Sequence, residues 1–130
     1  MNGGYMLASF TISFEGDHIK VLSEGDKNFE FSQRLWPAVV EACLEHDCYK
    51  ILGISEATSP MPVLDGYQHA DLFRKLRINR KYKIAWVELN EDAKDATYFV
   101  DTVLFNRGLP GRLFDTVLEA TEWLHAENDS

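Results

Sequence analysis

Three hydroxyls within five residues, Ser55, Thr58 and Ser59, precede a histidine at position 69, and this is the stretch nearest to pairing a nucleophile with a base. A hydrolase needs such a pair plus a carboxylate to orient the base. His18 is expected on a hairpin, His46 and His125 near helix ends, and His69 in mid-helix. His69 is therefore the best-placed base, yet nothing in the spacing sets it beside Ser55 or Ser59. A hydrolase or isomerase is the weakest of three readings. Glu91 and Asp92 suit acid–base work or a metal, and equally suit a helix N-terminus, where acids are favoured electrostatically. Cys43 and Cys48 have four residues between them and no second Cys or His pair to complete a zinc site. No phosphate loop, dinucleotide fingerprint or metalloprotease motif is present. No catalytic residue, metal or cofactor is expected, and the reading is of a protein that is not an enzyme.

The elements that position these residues follow from periodicity. Phe10, Ile12 and Phe14 alternate with Ser9, Thr11 and Ser13 as a half-buried strand does. Gly16-Asp17 turns the chain into a second strand through Ile19, Val21 and Leu22, with a loop over Gly25–Asn28. A helix ends near His46, with Leu35, Val39, Ala42 and Cys43 on one face. It starts either at a Ser32 cap or near Pro37, since proline suits a first turn and not an interior. Tyr49–Ile54 reads as a buried strand and Ser55–Pro62 as a loop. Val63–Leu76 is a helix spaced through Leu64, Tyr67, Leu72 and Leu76, and Lys83–Leu89 a central strand. Asn90 or Asp92 caps a third helix with a stripe of Ala96, Phe99, Val100, Val103 and Leu104, stopped by Gly108. A strand at Arg112–Phe114 and a Thr116/Glu119 capping box introduce a last helix that buries Val117, Ala120, Trp123 and Leu124. The expected order is β-β-α-β-α-β-α-β-α, an α/β fold with a mixed sheet and right-handed crossovers.

The chain has 130 residues, enough for one domain with a true core. The expected division is a leader at 1–7, one domain at 8–126 and a tail at 127–130. A net charge of −8 disfavours nucleic acid and anionic membrane as partners. Arg74, Lys75, Arg77, Arg80, Lys81 and Lys83 concentrate +6 in ten residues, leaving −14 elsewhere. Two readings fit that window, a docking patch for an anionic partner (Arg74, Lys75, Arg77, Arg80 and Lys81) or a solvated helix end with favourable dipole charges. Residues 1–7 hold no Lys or Arg and no long apolar run follows, so neither a signal peptide nor a transmembrane span of about 20 apolar residues is expected. Unpaired thiols fit a reducing cytoplasm. The hairpin edge strand would be open to a second copy of the chain, so a homodimer fits as well as a monomer.

The order of elements is similar to the STAS fold of bacterial anti-sigma-factor antagonists, and closer still to its SpoIIAA-like branch. Arg112, Phe114, Ala120, Trp123 and Leu124 resemble that family's final strand and helix, and Lys83-Ile84-Ala85-Trp86-Val87 its central strand. The resemblance implies a single STAS-like domain, a bacterial source and a regulatory or protein-interaction role. It departs at one place. Where the regulatory antagonists carry a phosphorylatable Ser opening the second helix, this chain has Pro60-Met61-Pro62-Val63-Leu64-Asp65-Gly66, with no hydroxyl.

Ligands of open parallel sheets sit beyond the carboxyl ends of the strands. The loops Ser55–Pro62, Leu89–Asp92 and Asp115–Thr116 gather there, acidic and hydroxylated, with no Lys, Arg or His among them. An anionic ligand would find no cationic clamp, and the basic window lies at the other end. SpoIIAA-like proteins also resemble the CRAL-TRIO lipid-transfer fold. That likeness implies a carrier or sensor of a small apolar, lipid-like ligand between helices and sheet. Met61, Val63, Tyr67 and Phe73 would form a movable wall, and Ser55, Thr58, Ser59, Met61, Tyr67 and Asn90 are the candidate contacts.

Overall fold

Alternating apolar positions build the first hairpin of the computed structural model, which describes residues 8–126; the expected leader 1–7 and tail 127–130 lie outside the described residues. Strand β1 (Ser9–Phe14) pairs antiparallel with β2 (Ile19–Gly25), from Ser9 opposite Glu24 to Phe14 opposite Ile19. Helix α1 (Phe29–His46) leads to β3 (Lys50–Ala57), α2 (Val63–Lys75) to β4 (Lys83–Glu88), and α3 (Lys94–Asn106) to β5 (Arg112–Phe114), with α4 (Val117–His125) last. The sheet order is β1-β2-β3-β4-β5, and every pair after the first is parallel. Sequential parallel strands joined by crossovers of one hand place their helices on one face. So α1, α2 and α3 share a face, while α4 crosses beneath and packs on β3, β4 and β5.

The alternation of β3 and β4 divides the core between those two faces. Ile51 and Ile84 point into the larger core with Val21, Leu35, Val39 and Phe73. Leu52, Ala85 and Val87 meet Ala120 and Leu124 of α4. Helix α2 packs mainly against α3 and α1 rather than against the strands.

Several boundaries and faces differ from the sequence reading: β2 runs on to Gly25, and Asn90 caps a short 3-10 turn while α3 itself starts after Ala93. Helix α1 begins at Phe29, before both expected starts, because Asn28 is its cap: the Asn28 side chain accepts the Phe31 N–H at 2.9 Å. Pro37 lies inside the helix. An interior proline costs about 3 kcal/mol or more. Burial of Phe31, Leu35, Trp36, Val39 and Cys43 outweighs it, at about 1.5–3 kcal/mol for each large apolar side chain. Strand β3 continues three residues past Ile54, so Ser55 is in the sheet and not in a loop. Helix α2 buries His69, Ala70, Leu72 and Phe73, leaving Leu64 70% and Tyr67 49% exposed. In α4, Ala120 and Leu124 are buried, Trp123 is half-buried and Val117 is exposed.

Gly53 is required by its neighbour on β4. Trp86 stands opposite it in register, and a Cβ built on Gly53 would lie 2.0 Å from Trp86 Cε3. The indole lies over the glycine and meets Trp36 at 5.6 Å between centroids. Gly53→Ala is expected to destabilise the protein by about 1–3 kcal/mol through overpacking, measured by urea denaturation with tryptophan fluorescence. An unchanged midpoint would show that Trp86 moves aside freely.

Candidate ligand-binding site

Parallel register sets Ser23, Ser55 and Glu88 side by side across β2, β3 and β4, all buried. They sit near the carboxyl ends of these strands, on the face covered by α1, α2 and α3. Glu88 Oε1 accepts the Ser55 hydroxyl at 2.7 Å. Glu88 Oε2 accepts the backbone N–H of Ala57 at 3.0 Å and of Asn90 at 3.1 Å. The Asn90 amide in turn donates to the Ala57 carbonyl at 2.6 Å. Lys27, on the connection from β2 to α1, reaches over this row and donates to Ser55 Oγ. Only 7% of Lys27 is exposed, and burial pulls its ammonium down to about 8 against the opposing charges of Glu88, Glu24 and Glu56.

Above this row is a cavity of about 110 Å³. Its floor is Ser55, Ala57, Ile84, Trp86 and Glu88, its walls are α1 and α3, and its roof is His69 and Phe73 of α2. The lining is predominantly apolar, as small-molecule sites are. On the α3 side, Asp101 Oδ1 is buried with no hydrogen-bond partner among the described residues. Burial raises the Asp101 carboxyl, partly offset by the Leu113 backbone and by Arg112.

A second buried pair ties the roof to the wall. Ser32 Oγ and His69 Nε2 are 2.7 Å apart, and His69 Nδ1 is 2.8 Å from the Asp65 carbonyl. A carbonyl only accepts, so Nδ1 carries the proton and Nε2 accepts the Ser32 hydroxyl. Asp65 Oδ2 also accepts the Phe29 N–H at 2.9 Å, fastening the start of α2 to the start of α1.

The structure distributes the sequence candidates unevenly. Ser55, Ser59 and Met61 line the cavity, and Asn90 braces its edge through Glu88 and Ala57. Thr58 is exposed outside it, and Tyr67 packs edge-on against Phe99 at 5.1 Å on the outer surface. Of the expected wall, Met61 and Phe73 face the cavity and Tyr67 does not. His69 pairs with Ser32 rather than with Ser55 or Ser59, the hydroxyls that the weakest reading, a hydrolase, would have needed beside it. The expected lack of a cation is corrected by Lys27. Lys27, Ser32 and Asp101 escaped the sequence reading as site residues; Glu88 belongs to the acidic carboxyl-end group expected there, and the inward alternation of Ile84 and Trp86 continues to it.

Away from the cavity, Asp17, His18 and His125 place donor atoms within 4.8 Å of one another. His18 Nδ1 lies 2.8 Å from Asp17 and His125 Nε2 3.6 Å, and the His18 bond foremost lowers the Asp17 carboxyl. Arg74, Lys75, Arg77, Arg80 and Lys81 are all exposed. Lys83, the sixth cation of that window, instead lies over the Trp123 ring at 4.7 Å.

No family profile matches this chain, and no curated protein does. Among solved structures, it superposes on an uncharacterised DUF3478-family protein with a SpoIIAA-like fold from Shewanella loihica PV-4. The TM-score is 0.55 at 13% identity, covering 95% of this chain and 98% of that one. The chain has a SpoIIAA-like fold. At that identity the likeness carries the fold alone, and the side chains that fill the cavity are this chain's own. The hydroxyl-free stretch Pro60–Gly66 spans the start of α2, whose Pro62 cap makes no side-chain bond.

His69 gives a pH dependence with a defined sign. Burial, opposed by the Asp65 carbonyl and charge, lowers its folded-state pKa below the ordinary 6.5. Between those two values the unfolded chain holds the extra proton, so stability rises with pH. The contribution is complete above 6.5 and is lost as pH falls through the lower, folded-state pKa. Urea midpoints are expected to fall from pH 7 to pH 5 more steeply in the wild type than in His69→Gln. Parallel slopes would assign the acid sensitivity to other groups.

Proposed function

We propose that this SpoIIAA-like protein is a non-enzymatic carrier or sensor of a small apolar ligand held between the helices and the sheet. The observation that supports it is the apolar cavity beneath α2, closed at one end by Lys27, Ser55 and Glu88. Its volume, about 110 Å³, is below the ~150 Å³ of an apolar cavity that takes up benzene. The ligand is therefore small, or it lifts α2. Lifting α2 would break its two polar bonds to α1 and open the contacts of Ala70, Leu72 and Phe73 in the larger core. Buried charges facing the cavity, Lys27 against Glu88 and Asp101, favour an uncharged ligand with one acceptor over an anion. Cytoplasmic residence agrees with Cys43 and Cys48, which form no disulfide.

Thermal shift with short apolar probes (toluene, pentanol, hexanol) tests this reading. A ligand at 100 times its Kd stabilises by about 2.7 kcal/mol, which is several degrees of Tm at this chain length. Ala57→Leu fills the floor and is expected to abolish the shift while leaving the far-UV spectrum unchanged. Failure of every probe to raise the wild-type Tm, together with native mass spectra from the source cells showing no bound mass, would sink the carrier.

A second reading, a regulatory or interaction domain without the phosphorylatable Ser, rests on the five exposed cations at the end of α2 and the turn after it. Arg77→Glu with Arg80→Glu is expected to remove capture of an acidic partner at low salt and leave Tm unchanged. Capture that persists in the double variant would discard the patch.

A further inference from the structure

We propose that Lys27 holds a small aldehyde or ketone covalently, as an imine, with Ser55 and Glu88 taking up and returning the proton. The proposal rests on the carrier reading and names the chemistry of its polar end.

The geometry meets three requirements of imine formation. The amine must face a space that admits a carbonyl compound and excludes bulk water; Lys27 is 93% removed from solvent, lines the cavity and lies 5.8 Å from the Phe31 ring centroid. It must lose a proton before it attacks. Lys27 donates to Ser55 Oγ, and Ser55 donates to Glu88, so one concerted shift leaves a neutral amine beside a neutral acid. The same proton must then return to the departing hydroxyl, and Glu88 is kept in place for this by two backbone N–H groups. In balance, the ammonium and the carbonyl compound give a protonated imine and one water. The new C=N bond replaces C=O, charge is conserved and no oxidant or reductant is consumed. The positive charge stays over Ser55 and Glu88, where the ammonium had been.

The depressed pKa of Lys27, about 8, adds to this geometry. At pH 7 it leaves about 10% of the amine neutral, against about 0.04% for an ordinary lysine near 10.4. Surface lysines such as Lys75 and Lys81 have no such advantage. A chain α-amine, with an ordinary pKa of about 7.7–8.0, has it without a pocket.

The test uses the full-length wild type with equimolar pentanal or 2-pentanone and sodium cyanoborohydride at pH 7, followed by peptide mapping. The proposal expects one alkyl group on Lys27 at least tenfold faster than on any other lysine. Lys75 and Lys81, both exposed, report bulk reactivity. Ala57→Leu should suppress alkylation of Lys27 and leave that of Lys75 and Lys81 unchanged, and Ser55→Ala, assayed at a temperature where its circular dichroism shows it folded, should slow Lys27 about tenfold or more. Alkylation spread evenly over the lysines overturns the imine, as does labelling of Lys27 that Ala57→Leu leaves untouched. If toluene and pentanol raise Tm while pentanal leaves no alkyl on Lys27, the imine fails and the carrier stands. If none binds, both fail.

Discussion

Glu88 is a carboxylate at 2% exposure, and its burial is the constraint around which one end of the molecule is organised. An ion withdrawn from water costs several kcal/mol unless partners replace its hydration. Here the replacements come from three places: the Ser55 hydroxyl, the Ala57 N–H at the end of β3 and the Asn90 N–H in the turn toward α3. Each needs a backbone set elsewhere. Ala57 must stay in the strand, which carries β3 past the end of its apolar run. Asn90 must hold the turn, which it does by accepting the Asp92 N–H at 3.0 Å and so starting the short 3-10 turn Glu91–Ala93. Lys27 then supplies the opposite charge through Ser55, which draws the β2–α1 connection inward.

The larger core is graded along the strands as a result. At their amino ends the inward positions are Ile19, Ile51 and Ile84, packed against Val39, Cys43 and Ile78. At their carboxyl ends the inward positions are Ser23, Ser55, Ala57 and Glu88, small or polar. Helix α2 spans that end between α1 and α3, and small residues do not fill the space below it. The cavity is the volume that remains. A leucine at 55 or 57 would close it, and buried apolar side chains there would stabilise the fold more readily than a lysine–serine–glutamate row. The row thus costs stability and leaves a solvent-shielded polar end in an apolar space.

The fold was legible because it is carried by long-period patterns. The element order and the bounds of β5 follow from alternation, helical spacing and the Thr116 cap, whose side chain accepts the Glu119 N–H at 3.1 Å. The start of α1 was not legible, because Ser32 is as good a cap type as Asn28 and Pro37 argues for a start later still. The inward face of α2 was misread for a related reason. Leu64 and Tyr67 are its conspicuous apolar residues, yet a helix that roofs a cavity turns His69, Ala70 and Phe73 inward and leaves the others on its outer side. The polar end of the site was the least legible part. A lysine between Gly25 and Asn28 has the local character of a solvated turn, and its burial depends on β3 and β4, residues 28 and 61 positions away.

The two polar features of the molecule stay apart for a reason built into the topology. In a sheet with parallel strands, connections that follow the strands emerge at one end and those that precede them at the other, so the Ser55–Pro62 segment and the Arg77–Tyr82 turn are at opposite ends by construction. The carboxyl end collects the strand residues that point inward as the core runs out, which makes it the end where the cavity lies. The amino end collects the last turn of α2, where cations are favoured by the helix dipole and remain in solvent. A ligand bound under α2 and a partner bound to its basic end would therefore touch the same helix from different sides. Such a helix, fastened to α1 by Asp65 and His69 and packed against α3, is the element through which occupancy of the cavity would reach the surface.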